Sequence, residues 1–179
     1  MGRPLDKSAY VLMAGLPGTG KTTLANALAA RLNGIVFNKD LVRAALFPAH
    51  LIDYTREQDD LCMGALLSAA EYISQRQSLF IFLDGRTFSR EYQVEQVVQA
   101  ATKNGCEWKI LHLFSPDAVA KERLRSAEGR EHVAGNRSFD LYRELKAKSE
   151  PVRRPRLEVD TSQDLQFCIE LCRKYLVGD

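Results

Sequence analysis

The stretch Gly15-Leu16-Pro17-Gly18-Thr19-Gly20-Lys21-Thr22 satisfies in full the pattern of a glycine, four residues and then Gly-Lys-Thr. Glycines at this spacing let the backbone curl so that successive N–H groups point inward at phosphate oxygens. A helix beginning near the lysine adds its positive dipole end at the same place. Lys21 is then placed to reach the β- and γ-phosphates, Thr22 to offer a hydroxyl to Mg²⁺, and Pro17, Thr19 and Thr23 to complete the surround. The flanks agree: a short apolar run, Tyr10 to Ala14, precedes the glycines, and Leu24, Ala27, Leu28 and Arg31 follow at helical spacing. A glycine-rich turn with a chance Lys-Thr rarely has both flanks. The segment implies a nucleoside triphosphate with Mg²⁺. It leaves open the fate of the γ-phosphate, because switch GTPases, motor ATPases and small-molecule kinases share it.

A group able to accept a proton must then be sought near that phosphate. Asn38-Lys39-Asp40 follows the second apolar run. It is not the guanine-reading Asn-Lys-x-Asp, since position 41 is Leu. A carboxylate at the end of a strand in an α/β sheet faces the cleft where ligands bind, so Asp40 can orient an acceptor hydroxyl and take its proton. Arg43, three residues on, projects from the same helix face. Asp40 is equally a favoured cap for a helix from Leu41 to Leu46, and the two roles are compatible.

GLPGTGKTTLA followed by VFNKDLVRAAL resembles the small P-loop kinases related to polynucleotide 5′-kinases, zeta toxins and chloramphenicol phosphotransferases. In such kinases the acidic residue after the second strand is the general base and an arginine three residues on contacts the substrate, roles that the resemblance carries to Asp40 and Arg43. The third run, Leu79 to Leu83, ends in Asp84-Gly85-Arg86-Thr87. An acid directly after a buried strand is placed to hold Mg²⁺, and the segment is similar to the Asp-x-Thr that lines the acceptor pocket of the same kinases. Asp84 therefore belongs to the metal set with Thr22 and to the substrate set with Arg86. As alternatives, Asp84 is a turn residue beside Gly85, and Arg86 is simply solvated. Arg43, Arg86 and Tyr54 along one cleft point to a polar acceptor, anionic ones included.

Pro116 to Arg130 carries Lys121, Arg123, Arg125 and Arg130, a density of cations that resembles the lid of nucleotide kinases, about residues 116–137. A lid closes over ATP, excludes water and brings arginine to the charge developing on the transferred group. Arg130 is the expected catalytic arginine and Arg125 a nucleotide ligand; Glu122, Glu128 and Glu131 support the competing reading of a solvated face. His50, His112 and His132 lack the partners of a catalytic triad.

Strands at Tyr10–Ala14, Ile35–Phe37, Leu79–Leu83, Lys109–Phe114 and Arg156–Val159 are expected to alternate with helices at about 21–32, 40–46, 55–75, 91–103, after Pro116, 138–148 and at the end of the chain. Parallel strands need long crossovers that helices supply, so the expected fold is a three-layer α/β P-loop NTPase domain with a mainly parallel five-stranded sheet, helices on both faces and a small lid. Phe47–Asp53 and Ser126–Arg137 break the alternation and are expected to be mobile or substrate-facing.

The 179 residues suit one domain spanning the chain. No run approaches the length of a membrane span, and no apolar signal core opens the chain, so a cytoplasmic location is expected. Cys62, Cys106, Cys168 and Cys172 have neither zinc spacing nor a disulfide framework around them. Lys and Arg number 25 against 23 Asp and Glu, a net charge of +2 that disfavours a nucleic-acid 5′ end as the acceptor. The expected activity is an ATP-dependent kinase acting on a hydroxyl of a small molecule or nucleotide-like acceptor. The alternative, from another class, is a nucleotide-dependent switch or assembly ATPase acting on a protein partner.

Overall fold

Alternate residues of the first strand, β1 (Ala9–Ala14), face opposite sides of the sheet, and both sides are buried. Tyr10, Leu12 and Ala14 join one core cluster, and Ala9, Val11 and Met13 join the other. This is why the strand reads as an unbroken apolar run rather than an alternating one. In the computed structural model, which describes residues 5–127 and 138–178, the remaining elements are α1 (Lys21–Arg31), β2 (Gly34–Asn38), α2 (Lys39–Leu46), a 3₁₀ turn (Ala49–Leu51), α3 (Arg56–Ser74), β3 (Phe80–Asp84), α4 (Glu91–Lys103), β4 (Glu107–Phe114), α5 (Asp117–Ala127), α6 (Phe139–Lys148), β5 (Leu157–Asp160) and α7 (Leu165–Val177).

The five strands are all parallel, in the order β2-β3-β1-β4-β5. This is the expected α/β P-loop fold, with seven α-helices among the described residues. Helices α3 and α4 pack on the Tyr10/Leu12 face through Met63, Leu66, Val94 and Val97, while α1 and α7 cover the Val11/Met13 face through Leu24, Leu28, Ile169 and Cys172. The crossovers that follow the neighbouring strands β1 and β3 thus leave to opposite faces, and the crevice at their carboxyl ends is where such a sheet binds ligands. The register sets Asn38 beside Asp84 at that edge.

Two further features build the edge. The backbone N–H of Gly15 donates to the carbonyl of Thr87 (3.0 Å), tying the turn after β1 to the turn after β3. A third cluster, Ala120, Leu124 and Tyr142 with Leu16 and Phe139 against it, fastens α5 and α6 over the same turn. The Tyr142 hydroxyl donates to Asp117 (2.7 Å), which also receives Lys146 (2.6 Å).

Gly15 has φ +137°, and a Cβ there would overlap the carbonyl oxygen of Leu113 in β4. Neither strain nor overlap can be relieved by a side-chain movement, because the obstacle is backbone in a central strand. Gly15→Ala is expected to lose about 2 kcal/mol or more of stability and to lose nucleotide binding. Gly64 on α3 meets nothing within 4 Å, so Gly64→Ala is expected to gain up to about 1 kcal/mol. Urea denaturation of the two variants checks both signs.

Candidate active site

The loop between β1 and α1 has left-handed backbone at Gly18 (φ +78°) and Gly20 (φ +77°), which curls its amides toward one centre. Gly20 stands at the N-cap of α1 without a side-chain cap, and no acidic residue occupies the first turn. The positive end of the helix is therefore left for an external anion. The loop is held internally by Thr19 Oγ1, which donates to the Leu16 carbonyl (2.8 Å). Lys21 Nζ donates to the carbonyls of Gly15 and Leu16 (2.8 Å each).

Thr22 Oγ1 donates to Asp84 Oδ2 (2.7 Å), and Asn38 Nδ2 donates to the same oxygen (2.9 Å). Asp84 is 1% exposed, and its Oδ1 has no hydrogen-bond partner among the described residues. A hydroxyl in contact with a buried carboxylate that still has an unsatisfied oxygen is a donor set that fits Mg²⁺, which takes one or two protein oxygens and completes its shell with water and phosphate. Thr22 and Asp84 are the residues that could hold it.

The helix after β2 starts at Lys39, two residues earlier than a cap at Asp40 requires. Asn38 is the cap: its Oδ1 accepts from the amides of Asp40 (2.9 Å) and Leu41 (3.3 Å). This corrects the reading of Asp40 as cap and releases its carboxylate for side-chain contacts. Asp40 Oδ1 receives Arg43 Nη1 (2.7 Å) and lies 3.6 Å from Lys39 Nζ. Both cations also reach Asp59 Oδ1 at the start of α3, Lys39 at 2.6 Å. The Arg43 guanidinium lies over the ring of Tyr54, a residue with φ +54°. Lys39 and Asp40 are 5% exposed and Arg43 2%, so these charges are held in place by one another rather than by water. Gly85 permits the close approach: its φ is +85°, and a Cβ would lie 2.8 Å from the Lys39 amide nitrogen. Arg86, beside this cluster, is held by a separate set of partners, Asp60, Tyr92 (3.2 Å) and Gln96 (3.4 Å).

Burial pushes the Lys39 ammonium down to about 8, against the pull of Asp40 and with the help of Arg43 and Arg86. Below that pH the lysine is protonated both folded and unfolded. Between about 8 and the ordinary value of 10.5 the unfolded chain holds a proton that the folded chain has shed, so this group makes stability rise with pH across that window. Relative to Lys39→Met, the native chain is expected to gain unfolding free energy from pH 7.5 to pH 10 in urea titrations. A pH-independent difference between the two contradicts the assignment.

Two cavities meet at Lys21. The larger, about 560 Å³, is lined by Gly18, Gly20, Thr22, Thr23, Arg123, Leu124, Ser126, Thr161, Gln163, Leu165 and Cys168 together with Lys21. The smaller, about 170 Å³, is lined by Pro17, Lys39, Asp40, Arg43, Tyr54, Asp59, Gly85, Arg86, Thr87, Leu141 and Leu145, again with Lys21. Asp40, Arg43 and Arg86 thus line one cavity, while Pro17 lines the smaller cavity instead of the larger. Arg125 is exposed and is not among the lining residues. Arg123 takes that position, donating to Thr161 Oγ1 (3.0 Å) and its carbonyl (2.6 Å), while the Thr161 hydroxyl lies 3.0 Å from the Thr19 carbonyl. Arg130, with Gly129, His132, Gly135 and Arg137, lies outside the described residues, so most of the expected lid does too.

A family model described as an AAA domain, AAA_33, matches residues 11–151, from β1 through the loop, both acid-bearing strand ends and α6. The chain belongs to the AAA_33 family. This AAA_33 domain has the P-loop fold, and membership implies nucleotide binding. No curated protein matches the chain. Among solved structures it is similar to a provisionally assigned kinase from Chloroflexus aurantiacus J-10-fl, at 23% identity with a TM-score of 0.71 over 95% of this chain and 98% of that one. It is similar to a gluconokinase from Sinorhizobium meliloti 1021, at 17% identity and TM-score 0.63 over 98% and 96%. The APS kinase of Mycobacterium tuberculosis, solved in complex with AMPPNP and APS, matches at 14% identity and TM-score 0.68 over 93% and 98%. At these identities the likeness extends to the fold of the AAA_33 domain. No helix among the described residues is long and apolar enough to cross a membrane.

Proposed function

We propose that the protein is an ATP- and Mg²⁺-dependent kinase that transfers the γ-phosphoryl group to a hydroxyl of a small-molecule acceptor. The observation that carries the reading is the position of Lys21, which lines both cavities. The nucleotide occupies the larger cavity and the acceptor the smaller, so that the terminal phosphate lies at their junction. The resemblance to small P-loop kinases of the polynucleotide kinase, zeta toxin and chloramphenicol phosphotransferase group supports the same division, as does the kinase naming of the structural neighbours.

In the reaction, the acceptor oxygen forms a bond to the γ-phosphorus as the bond to the β,γ-bridging oxygen breaks, ADP leaves, and the hydroxyl proton passes to Asp40. Loop amides and Lys21 stabilise charge on the transferred group. Gly15, Gly18, Gly20, Thr19 and Thr23 shape the nucleotide side, with Arg123 lining it and Arg130 as its lid cation. Arg43 and Arg86 hold the acceptor. Thr22 and Asp84 would hold the Mg²⁺, which when bound would neutralise phosphate charge. The net charge of +2 disfavours a nucleic-acid end as acceptor.

Incubation with γ-labelled ATP and a library of hydroxyl compounds is expected to move label into an organic product. Hydrolysis stimulated by a protein partner, with label only in inorganic phosphate, contradicts the kinase reading and supports a switch ATPase.

A further inference from the structure

Three cations line the smaller cavity besides Lys21, and each is already matched by a carboxylate. Asp40 and Asp59 face Lys39 and Arg43, and Asp60, at the start of α3, faces Arg86. Both terminal nitrogens of Arg43 are engaged, Nη1 by Asp40 and Nη2 by Asp59. Those of Arg86 are engaged by Gln96 at one end and by Asp60 and Tyr92 at the other. Beyond these contacts each buried guanidinium keeps N–H groups, among them an Nε–H that has no hydrogen-bond partner among the described residues; Arg43 is 2% exposed and Arg86 3%.

A carboxylate or phosphate is bound by arginine through two parallel N–H groups. A guanidinium whose charge a carboxylate already balances suits a neutral hydroxyl, ether or carbonyl oxygen. An anion must either displace one of these carboxylates from a buried arginine or add an unmatched negative charge beside the pair, and either costs on the order of a hundredfold in affinity or more. The other lining groups include the hydrocarbon of Pro17 and of Leu141 and Leu145, one turn apart on α6. At about 170 Å³ the cavity is below the roughly 300–1,000 Å³ of drug-sized sites, which suits one small ring or short chain.

We propose that the phosphoryl acceptor is an uncharged polyhydroxylated molecule, a sugar or polyol that offers oxygens to Arg43 and Arg86 and C–H surface to Leu141 and Leu145. The inference rests on the kinase reading and deepens it. It also narrows the wider expectation of a polar acceptor, by removing carboxylate- and phosphate-bearing compounds.

The test uses the full chain with Mg²⁺ and γ-labelled ATP against matched pairs that share a skeleton: glucose and gluconate, glycerol and glycerate, ribose and ribose 5-phosphate. Neutral members are expected to be phosphorylated with kcat/KM at least about a hundredfold above their charged counterparts. Equal or better use of the charged members overturns the inference and leaves the kinase reading standing. Label released only as inorganic phosphate, with every member of the panel, overturns the kinase reading itself. In Asp60→Asn, whose side chain is partly exposed, Arg86 loses its counter-charge. The ratio of charged to neutral acceptor use is then expected to rise about tenfold or more, with folding checked by the melting temperature. An unchanged ratio in the folded variant overturns the assignment of Asp60 as the group that excludes anions.

Discussion

Asp40→Asn is expected to lower phosphoryl transfer by about 10² to 10⁴ while leaving the affinity for ATP within a few-fold of native, because the substituted carboxylate lines the smaller cavity, proposed for the acceptor, and not the larger. Asparagine keeps the size of the side chain and one acceptor oxygen, so Arg43 Nη1 keeps a partner. What disappears is the capacity to take the proton of the acceptor hydroxyl. The substitution also removes a negative charge from beside two buried cations, Lys39 and Arg43, which lowers stability by about 2 kcal/mol or more. Melting temperature and nucleotide affinity measured on the same preparation separate that loss from the chemical one. A variant that is folded, binds ATP and turns over near the native rate removes Asp40 from the role of base.

Lys21→Ala is expected to lower kcat/KM for ATP by about 10² to 10³, with both kcat and KM affected. Its ammonium stands at the junction of the two cavities and is therefore placed to touch the terminal phosphate before and during transfer. The substitution also removes two hydrogen bonds to the carbonyls of Gly15 and Leu16. Unlike the Gly15 overlap, this loss leaves groups that water can serve, so the folded state should persist. Steady-state kinetics alongside urea denaturation check the pair of expectations, and a kcat defect with unchanged KM assigns the lysine to the transition state alone.

The five strands were legible because each is a short apolar run bounded by turn or polar residues, and each falls within two residues of the expected place. Strand β4 begins two residues early, at Glu107, because its start pairs with Ala9 and Tyr10 across the sheet, a contact that no local pattern announces. The phosphate loop was legible because its glycines, lysine and threonine serve one local purpose. Asn38, Lys39 and Asp40 were harder to sort: asparagine and aspartate are comparable caps, and only the observed hydrogen bonds assign the role to Asn38.

Asp59 and Asp60 escaped sequence reasoning for a different reason. Acids near the start of a helix are ordinary complements to its dipole. Nothing in their spacing shows that they answer Arg43 and Arg86, 16 and 26 residues away in the chain. Arg123 did leave a signal. Ala120 and Leu124 mark the buried stripe of α5, and at 100° per residue position 123 falls beside it while position 125 falls well off it.

The measurement closest to the central claim is a crystal structure of the protein with Mg²⁺ and a non-hydrolysable ATP analogue. The account predicts the terminal phosphorus beside Lys21, at the junction of the two cavities, about 6 Å from the Asp40 carboxylate. That distance is the sum of one near-attack contact and one hydrogen bond, room for a single hydroxyl between them. A triphosphate whose terminal group points out of the larger cavity into solvent, with Asp40 beyond the reach of any bridging hydroxyl, contradicts it.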